Sequence, residues 1–166
     1  MLFIVTIGFY AIDVLGRVLM CDVSSAVVVT KFVSPELPEC NCRLHDKYLV
    51  ESAAGNLLQV LRFLCRRREC INQYETKEIK VFKLDCQNWI ELESLGDDAL
   101  FVGGNDSLSV LASDFPRCQP GCIYYTHGFS HSHSLYHSDP CGPFGPLDMG
   151  VFNLEDKCFQ VPTTLL

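Results

Sequence analysis

The side chains best suited to holding a metal are concentrated late in the chain: Cys118, Cys122, His127, His131, His133, His137 and Cys141. Four of the five histidines fall in this stretch. Thiolate and imidazole are the ligands zinc prefers, and a tetrahedral site needs four of them. The spacing fits no familiar zinc module, however, and Cys122 heads a strand-like run that favours packing over ligation. Residues 128–146 are rich in Ser, His, Gly and Pro, the composition of an exposed, flexible loop. A surface loop is therefore expected, with a small metal-binding protein built on residues 118–141 as the alternative function. Cys40, Cys42 and His45 form a lesser cluster beside Pro35 and Pro38. No second cysteine pair at regular spacing completes a site there, so a connecting loop is expected. No metal ligand and no cofactor is assigned.

Catalytic chemistry has no better footing. There is no G-x-S-x-G elbow and no H-E-x-x-H helix. Gly103-Gly104-Asn105-Asp106 is glycine-rich but lacks a following lysine or helix signature, which leaves a four-residue hairpin turn. Glu91 and Glu93 alternate on what reads as the outward face of a strand, and Asp97 and Asp98 follow Gly96 in a turn; a solvated acidic face is expected. Trp89, the single tryptophan, has apolar neighbours and reads as a core anchor. No catalytic residue is assigned, and the chain is not read as an enzyme.

The whole composition narrows the classes further. The 166 residues carry 13 Lys and Arg against 20 Asp and Glu, so the formal charge is 13 − 20 = −7. Nucleic-acid binding needs the opposite sign of surface. The apolar run near the N-terminus has no preceding Lys or Arg and no small-x-small cleavage pattern, and Asp13 and Arg17 interrupt it. It reads as a buried strand rather than a signal peptide or a membrane span. The ten cysteines then face a reducing cytoplasm or nucleus as free thiols scattered through strands; a secreted disulfide protein is the competing class. Residues 62–70, with the Arg66-Arg67-Arg68 run, form an ambiguous basic segment read as a short helical turn or solvated hairpin loop rather than an import signal.

The elements that would position these residues are short β-rich runs separated by turn-makers. Strands are predicted over residues 3–13, 17–22, 26–32, 47–51, 57–63, 77–84, 89–93, 99–102, 107–111, 122–126 and 150–154. Starts recur about every 8 to 12 residues, as in antiparallel all-β proteins. Gly55-Asn56 between two apolar runs reads as a hairpin turn. Around Cys86-Gln87-Asn88, alternating charge and bulk predict a second hairpin with Phe82, Leu84, Trp89 and Ile90 inward.

Several blocks in this order carry a resemblance: Phe9-Tyr-Ala-Ile-Asp with Gly16-Arg-Val, Tyr48-Leu-Val-Glu-Ser with Gly55-Asn-Leu-Leu-Gln-Val, and Val81-Phe-Lys-Leu-Asp with Trp89-Ile-Glu-Leu-Glu-Ser-Leu-Gly-Asp-Asp-Ala-Leu-Phe-Val-Gly. Ser109-Val-Leu-Ala-Ser-Asp-Phe-Pro, Cys122-Ile-Tyr-Tyr-Thr and Asp148-Met-Gly-Val-Phe-Asn-Leu-Glu-Asp follow. Over residues 7–156 the chain resembles the KIB-type β-propeller domain that follows the F-box in many plant proteins. The resemblance implies one domain over residues 1–166, a partial β-propeller of about three to four antiparallel blades with an incomplete ring. It also implies a non-catalytic module that recruits a protein substrate to a ubiquitin ligase. The sequence opens on a β-run instead of an F-box, so no contact with a Skp1-type adaptor is expected. Neither nucleic acid nor membrane is an expected partner, and self-association through exposed blade edges is.

Overall fold

The computed structural model describes residues 2–5, 8–23, 26–38, 45–66, 74–104, 106–126 and 148–160. Described secondary structure is β throughout, apart from one 3-10 turn at Ala112–Asp114. β1 (Leu2–Val5), β2 (Gly8–Ile12), β3 (Val18–Asp22) and β4 (Val29–Phe32) form an antiparallel first sheet in chain order. β5 (His45–Glu51), β6 (Leu57–Arg66), β7 (Tyr74–Asp85) and β8 (Asn88–Leu92) form a second of the same kind. The third holds β9 (Asp98–Val102), β10 (Ser107–Leu111), β11 (Cys122–Tyr125), β12 (Gly150–Asn153) and β13 (Cys158–Gln160), in the order β10-β9-β11-β12-β13.

The second sheet lies between the other two. Its central strand β6 is buried on both faces, so Leu57–Arg66 reads as a nearly continuous apolar run rather than as half-buried alternation. One face of the sheet presents Tyr48, Val50, Leu58, Val60, Ile79 and Val81. These pack against Leu100, Val102, Ile123, Tyr125, Phe152 and Leu154 of the third-sheet region in the main core. On the other face Leu61 and Phe82 pack with Leu37, flanked by half-buried Phe63 and Trp89. The Trp89 indole N–H donates to the Pro35 carbonyl at 3.1 Å, so the tryptophan anchors the chain entering the sheet. At its inner edge β5 touches β10 on one side and β1 and β2 on the other. Edge strands of successive sheets thus lie side by side, the arrangement blades make around a propeller axis.

Four details differ from the sequence reading. Residues 3–13 form two strands, not one: β1 and β2 pair antiparallel, Val5 with Gly8. Ile90 is 47% exposed: next to Trp89 it must turn to the other face of β8, where it sits opposite Lys83 on an edge strand. β13 was not foreseen; its three residues are all exposed and carry no apolar alternation. β11 runs parallel to β9, pairing Ile123 with Leu100 and Tyr125 with Val102. The intervening hairpin strand β10 and the connection over residues 112–121 return the chain to its starting end, as a parallel neighbour requires. That connection is fastened by Ala112 N–H to Asp97 O (2.8 Å) and Gly121 N–H to Asp98 O (3.1 Å).

The turns carry the expected chemistry, with one strained case. Gly55 at φ +79° closes the β5–β6 turn, where the Ser52 hydroxyl accepts from the Asn56 N–H at 3.0 Å. The β7–β8 turn is harder to make. Cys86 and Gln87 both sit at positive φ, 43° and 75°, between the paired Asp85 and Asn88. A two-residue turn of this kind favours Asn-Gly, since L side chains pay a steric penalty there. The double substitution Cys86→Asn with Gln87→Gly is expected to stabilise the fold by about 1–2 kcal/mol, read as a raised urea midpoint at unchanged slope.

Candidate functional site

The most heavily charged point of the interior is on the main-core face of β6. Leu58, Val60, Arg62 and Leu64 share that face, and Arg62 is only 2% exposed. A buried guanidinium needs anionic and carbonyl partners to offset its lost hydration. Asp46, directly opposite on β5, supplies the first at 3.0 Å. The Thr126 carbonyl just after β11 accepts a second hydrogen bond at 2.6 Å. The Asp148 carboxylate, two residues before β12, lies 3.8 Å away. The Tyr125 and Tyr48 rings flank the guanidinium carbon, with centroids at 5.4 and 6.0 Å.

A bulge in β7 completes the group. The β6–β7 register shifts between Phe63 and Leu64, so Leu64 opposes Thr76 after Phe63 has opposed Glu78. Without that extra residue, strict alternation from Ile79 would turn Lys77 inward. Instead Lys77 is exposed and Thr76 is buried, donating its hydroxyl hydrogen to Asp148 at 2.7 Å. Across β12, Gly150 pairs with Tyr125, and a Cβ at Gly150 would sit 2.6 Å from the Tyr125 hydroxyl. The glycine gives the ring room to lie where it reaches the guanidinium.

Burial holds both phenols protonated. Desolvation raises Tyr48 far above the ordinary tyrosine range, and Asp46, whose carboxylate lies 3.4 Å from the phenol oxygen, adds to the rise against the opposing pull of Arg62. Tyr125 is raised for the same first reason, with Asp148 adding to it. The group contains no exposed nucleophile and no paired acid and base open to solvent. Its geometry is that of a clamp joining the second sheet to the third.

The clamp lies at one end of the sheets. Asp46 is at the start of β5, Arg62 toward the end of β6, Thr76 near the start of β7, and Thr126 and Asp148 bracket residues 127–147. The segments 39–44, 67–73 and 127–147 all connect to strands at this end. At the opposite end the described connections include residues 52–56, the Cys86-Gln87 turn, the longer stretch 112–121 and residues 154–157, tied down by bonds such as Leu154 N–H to Gly121 O at 3.0 Å and Ala112 N–H to Asp97 O at 2.8 Å.

The sequence-flagged residues fall as follows. His127, His131, His133, His137 and Cys141 lie outside the described residues, as do Cys40 and Cys42. Cys122 is buried at the start of β11, its sulfur 3.6 Å from Gln119 Oε1 and 3.8 Å from Asn153 Nδ2. Desolvation raises its thiol above the ordinary range, the state of a packed side chain. His45 opens β5 against the Phe63 ring at 6.2 Å. Among the described residues no group of three or more His, Cys, Asp or Glu could hold a metal ion. Cys21, Cys65, Cys86, Cys118, Cys122 and Cys158 are free thiols.

The acidic set is dispersed. Glu91 faces Lys80 at 3.6 Å and Glu93 faces Lys157 at 3.4 Å. Asp97 accepts from the Ser113 hydroxyl at 2.6 Å, and Asp98 lies 3.3 Å from the Ala53 N–H. Gly103 and Asp106 close a β9–β10 turn, with Gly103 N–H donating to Asp106 O at 3.2 Å. Arg62 itself was missed. Its signal was an arginine on the apolar face Leu58, Val60, Leu64, read instead as the start of an ambiguous basic segment.

Three blade-like sheets meeting at their inner edges suit a propeller, and the KIB1-4 beta-propeller family model matches residues 3–153. The chain belongs to the KIB1-4 beta-propeller family. Its relatives include F-box protein At2g26160 of Arabidopsis thaliana, 28% identical over 70% of this chain and 35% of that protein. Putative F-box protein At5g55150 is 29% identical over 90% of the chain and 39% of its own length, and F-box protein At2g17036 27% over 89% and 36%, both from Arabidopsis thaliana. The chain thus spans about a third of the length of these relatives. No solved structure matches it. Among the described residues no helix is long and apolar enough to cross a membrane.

Two outcomes test the clamp. Arg62→Met leaves buried Asp46 and Asp148 without their cation and is expected to cost about 3–5 kcal/mol, measured by urea unfolding. The second concerns base. Because the Tyr48 folded-state pKa lies above its unfolded value of 10.0, the stability it contributes is present below pH 10 and is lost as pH rises above it. A 295 nm titration should show phenols that ionise only as the fold opens, and Tyr48→Phe should shrink that late step, leaving the share of Tyr125.

Proposed function

We propose that this KIB1-4 propeller chain is a non-catalytic protein-interaction module of the kind that recruits substrates in plant F-box ubiquitin ligases. Two features support the reading: the family match, and the printed names of the relatives as F-box proteins. The observation that carries the choice of surface is the contrast between the two ends of the sheets. At one end the described connections, residues 52–56, the Cys86-Gln87 turn, 112–121 and 154–157, are held down by backbone hydrogen bonds and strand pairing. At the other, the buried Arg62 clamp fixes the strand ends from which residues 39–44, 67–73 and 127–147 depart. A rigid frame beneath long connections is how scaffolds present binding residues.

The partner is read as a protein, in the cytoplasm or nucleus. A chain of net charge −7 is a poor match for nucleic acid. The three sheets are read as an arc of a propeller rather than a complete ring.

Replacing residues 128–146 by a Gly/Ser linker of equal length tests the assignment. The expected result is loss of a saturable protein partner in plant-cell extract, with the unfolding midpoint unchanged. An unaltered partner set would overturn the surface. One zinc per chain, lost on His131→Ala with His133→Ala, would overturn the whole reading in favour of a metal protein.

A further inference from the structure

The first sheet ends in β4, which among the described residues pairs only with β3 and has its other edge open. The hydrogen bond from Val33 N–H to Val18 O, 2.9 Å, fixes the parity of that pairing. Val18 and Val33 are directly opposed in the register that pairs Leu19 with Phe32, so theirs is a hydrogen-bonded pair. Such pairs alternate along an antiparallel ladder. Met20 with Lys31 and Asp22 with Val29 are then bonded pairs too, and their β4 members point their backbone groups at β3. The N–H and C=O of Val28, Thr30 and Phe32 point the other way, to the open edge.

We infer that this edge is a self-pairing surface, on which β4 of a second copy of the chain docks antiparallel about a twofold axis through Thr30. The register is dictated by the outward groups. With Thr30 opposite Thr30, Val28 falls opposite Phe32 of the partner copy and Phe32 opposite its Val28. All three outward residues then meet outward residues, each pair exchanging two backbone hydrogen bonds. On one face Val28 packs across from Phe32, an aromatic-aliphatic pair, with the two threonines between. On the other, Val29 lies opposite Lys31, so the only charge in the strand never meets its own copy. A twofold contact demands this kind of self-complementarity.

The exposed surface agrees. Val28 is 60%, Val29 53% and Phe32 53% exposed. An edge of extended, mostly β-branched residues without proline is what sheet proteins ordinarily cover or blunt. Together the two strands would bury on the order of 900 Å², at the low end for a specific interface, so a weak, concentration-dependent dimer is expected rather than a permanent one. Because β4 belongs to the first sheet, this surface is separate from the clamp end of the second and third sheets.

Sedimentation velocity of the full chain, under reducing conditions across roughly 1–200 µM, tests the proposal at the tens-of-micromolar affinity a small interface implies. A monomer–dimer equilibrium is expected. Thr30→Pro removes an outward N–H, leaves the bonds to β3 in place and suits an edge strand. It should weaken dimerisation at least ten-fold with an unchanged far-ultraviolet spectrum. As a second arm independent of that variant's folding, Thr30→Cys should oxidise to a 30–30 cross-link between chains, identified by peptide mass spectrometry. A wild-type chain that stays monomeric throughout would overturn the inference and leave the edge to a strand of another protein. Cross-linking of position 30 to Cys158 would overturn the register in favour of a head-to-tail contact with β13.

Discussion

A single positive charge buried between two sheets sets the terms for everything around it. Arg62 can stay in the core only if the second and third sheets approach in one relative position. Asp46 is already opposite it within the second sheet; that position must bring a carbonyl after β11 and a carboxylate before β12 within its reach as well. Apolar packing between sheets is tolerant of sliding, since valine against leucine is much the same one notch along. A guanidinium with directional partners is not. The apolar cluster supplies most of the burial between the two sheets, while Arg62 specifies how they sit, a division of labour attested for some buried polar groups.

The supporting details all serve that constraint. The β7 bulge turns Thr76 rather than Lys77 toward the core, which avoids a second buried cation and gives Asp148 a hydroxyl donor. The bare backbone of Gly150 makes room for the Tyr125 ring, which in turn covers the guanidinium. Neither device is visible from the element it sits in. Each makes sense only from the neighbouring sheet.

Much of the fold was legible because hairpins are local. The alternation in residues 81–93 and the turn at Gly55-Asn56 each fix two strands and their register within about fifteen residues, and both stand in the structure. The resemblance carried the rest of the architecture. What could not be read was non-local or weakly marked. Alternation in Ile123, Tyr124 and Tyr125 shows which residues share a face, not that their neighbour is β9 running the same way. β13 has too few residues to show a period. β1 ends at Val5 and β2 begins at Gly8, yet the unbroken apolar run hides the break between them. Arg62 was obscured by the arginines that follow it, although a charge on an otherwise apolar face is the one kind of residue that must find a partner across the sheet. Of the histidine-rich cluster, only the flanking Cys118 and Cys122 belong to the described frame, and Cys122 is engaged in packing.

The contacts of Arg62 with Thr126 and Asp148 have a further meaning for how such a chain can change over generations. Those two residues are the stems of a 21-residue excursion, and one side chain fastens both of them to β6. Once the stems are pinned, the entropy of closing the chain between them grows only with the logarithm of its length, and doubling it costs about 0.6 kcal/mol. Insertions, deletions and rewritten composition between Thr126 and Asp148 are therefore nearly neutral for folding. A scaffold with that property can explore new recognition sequences cheaply, provided the arginine beneath them stays where it is.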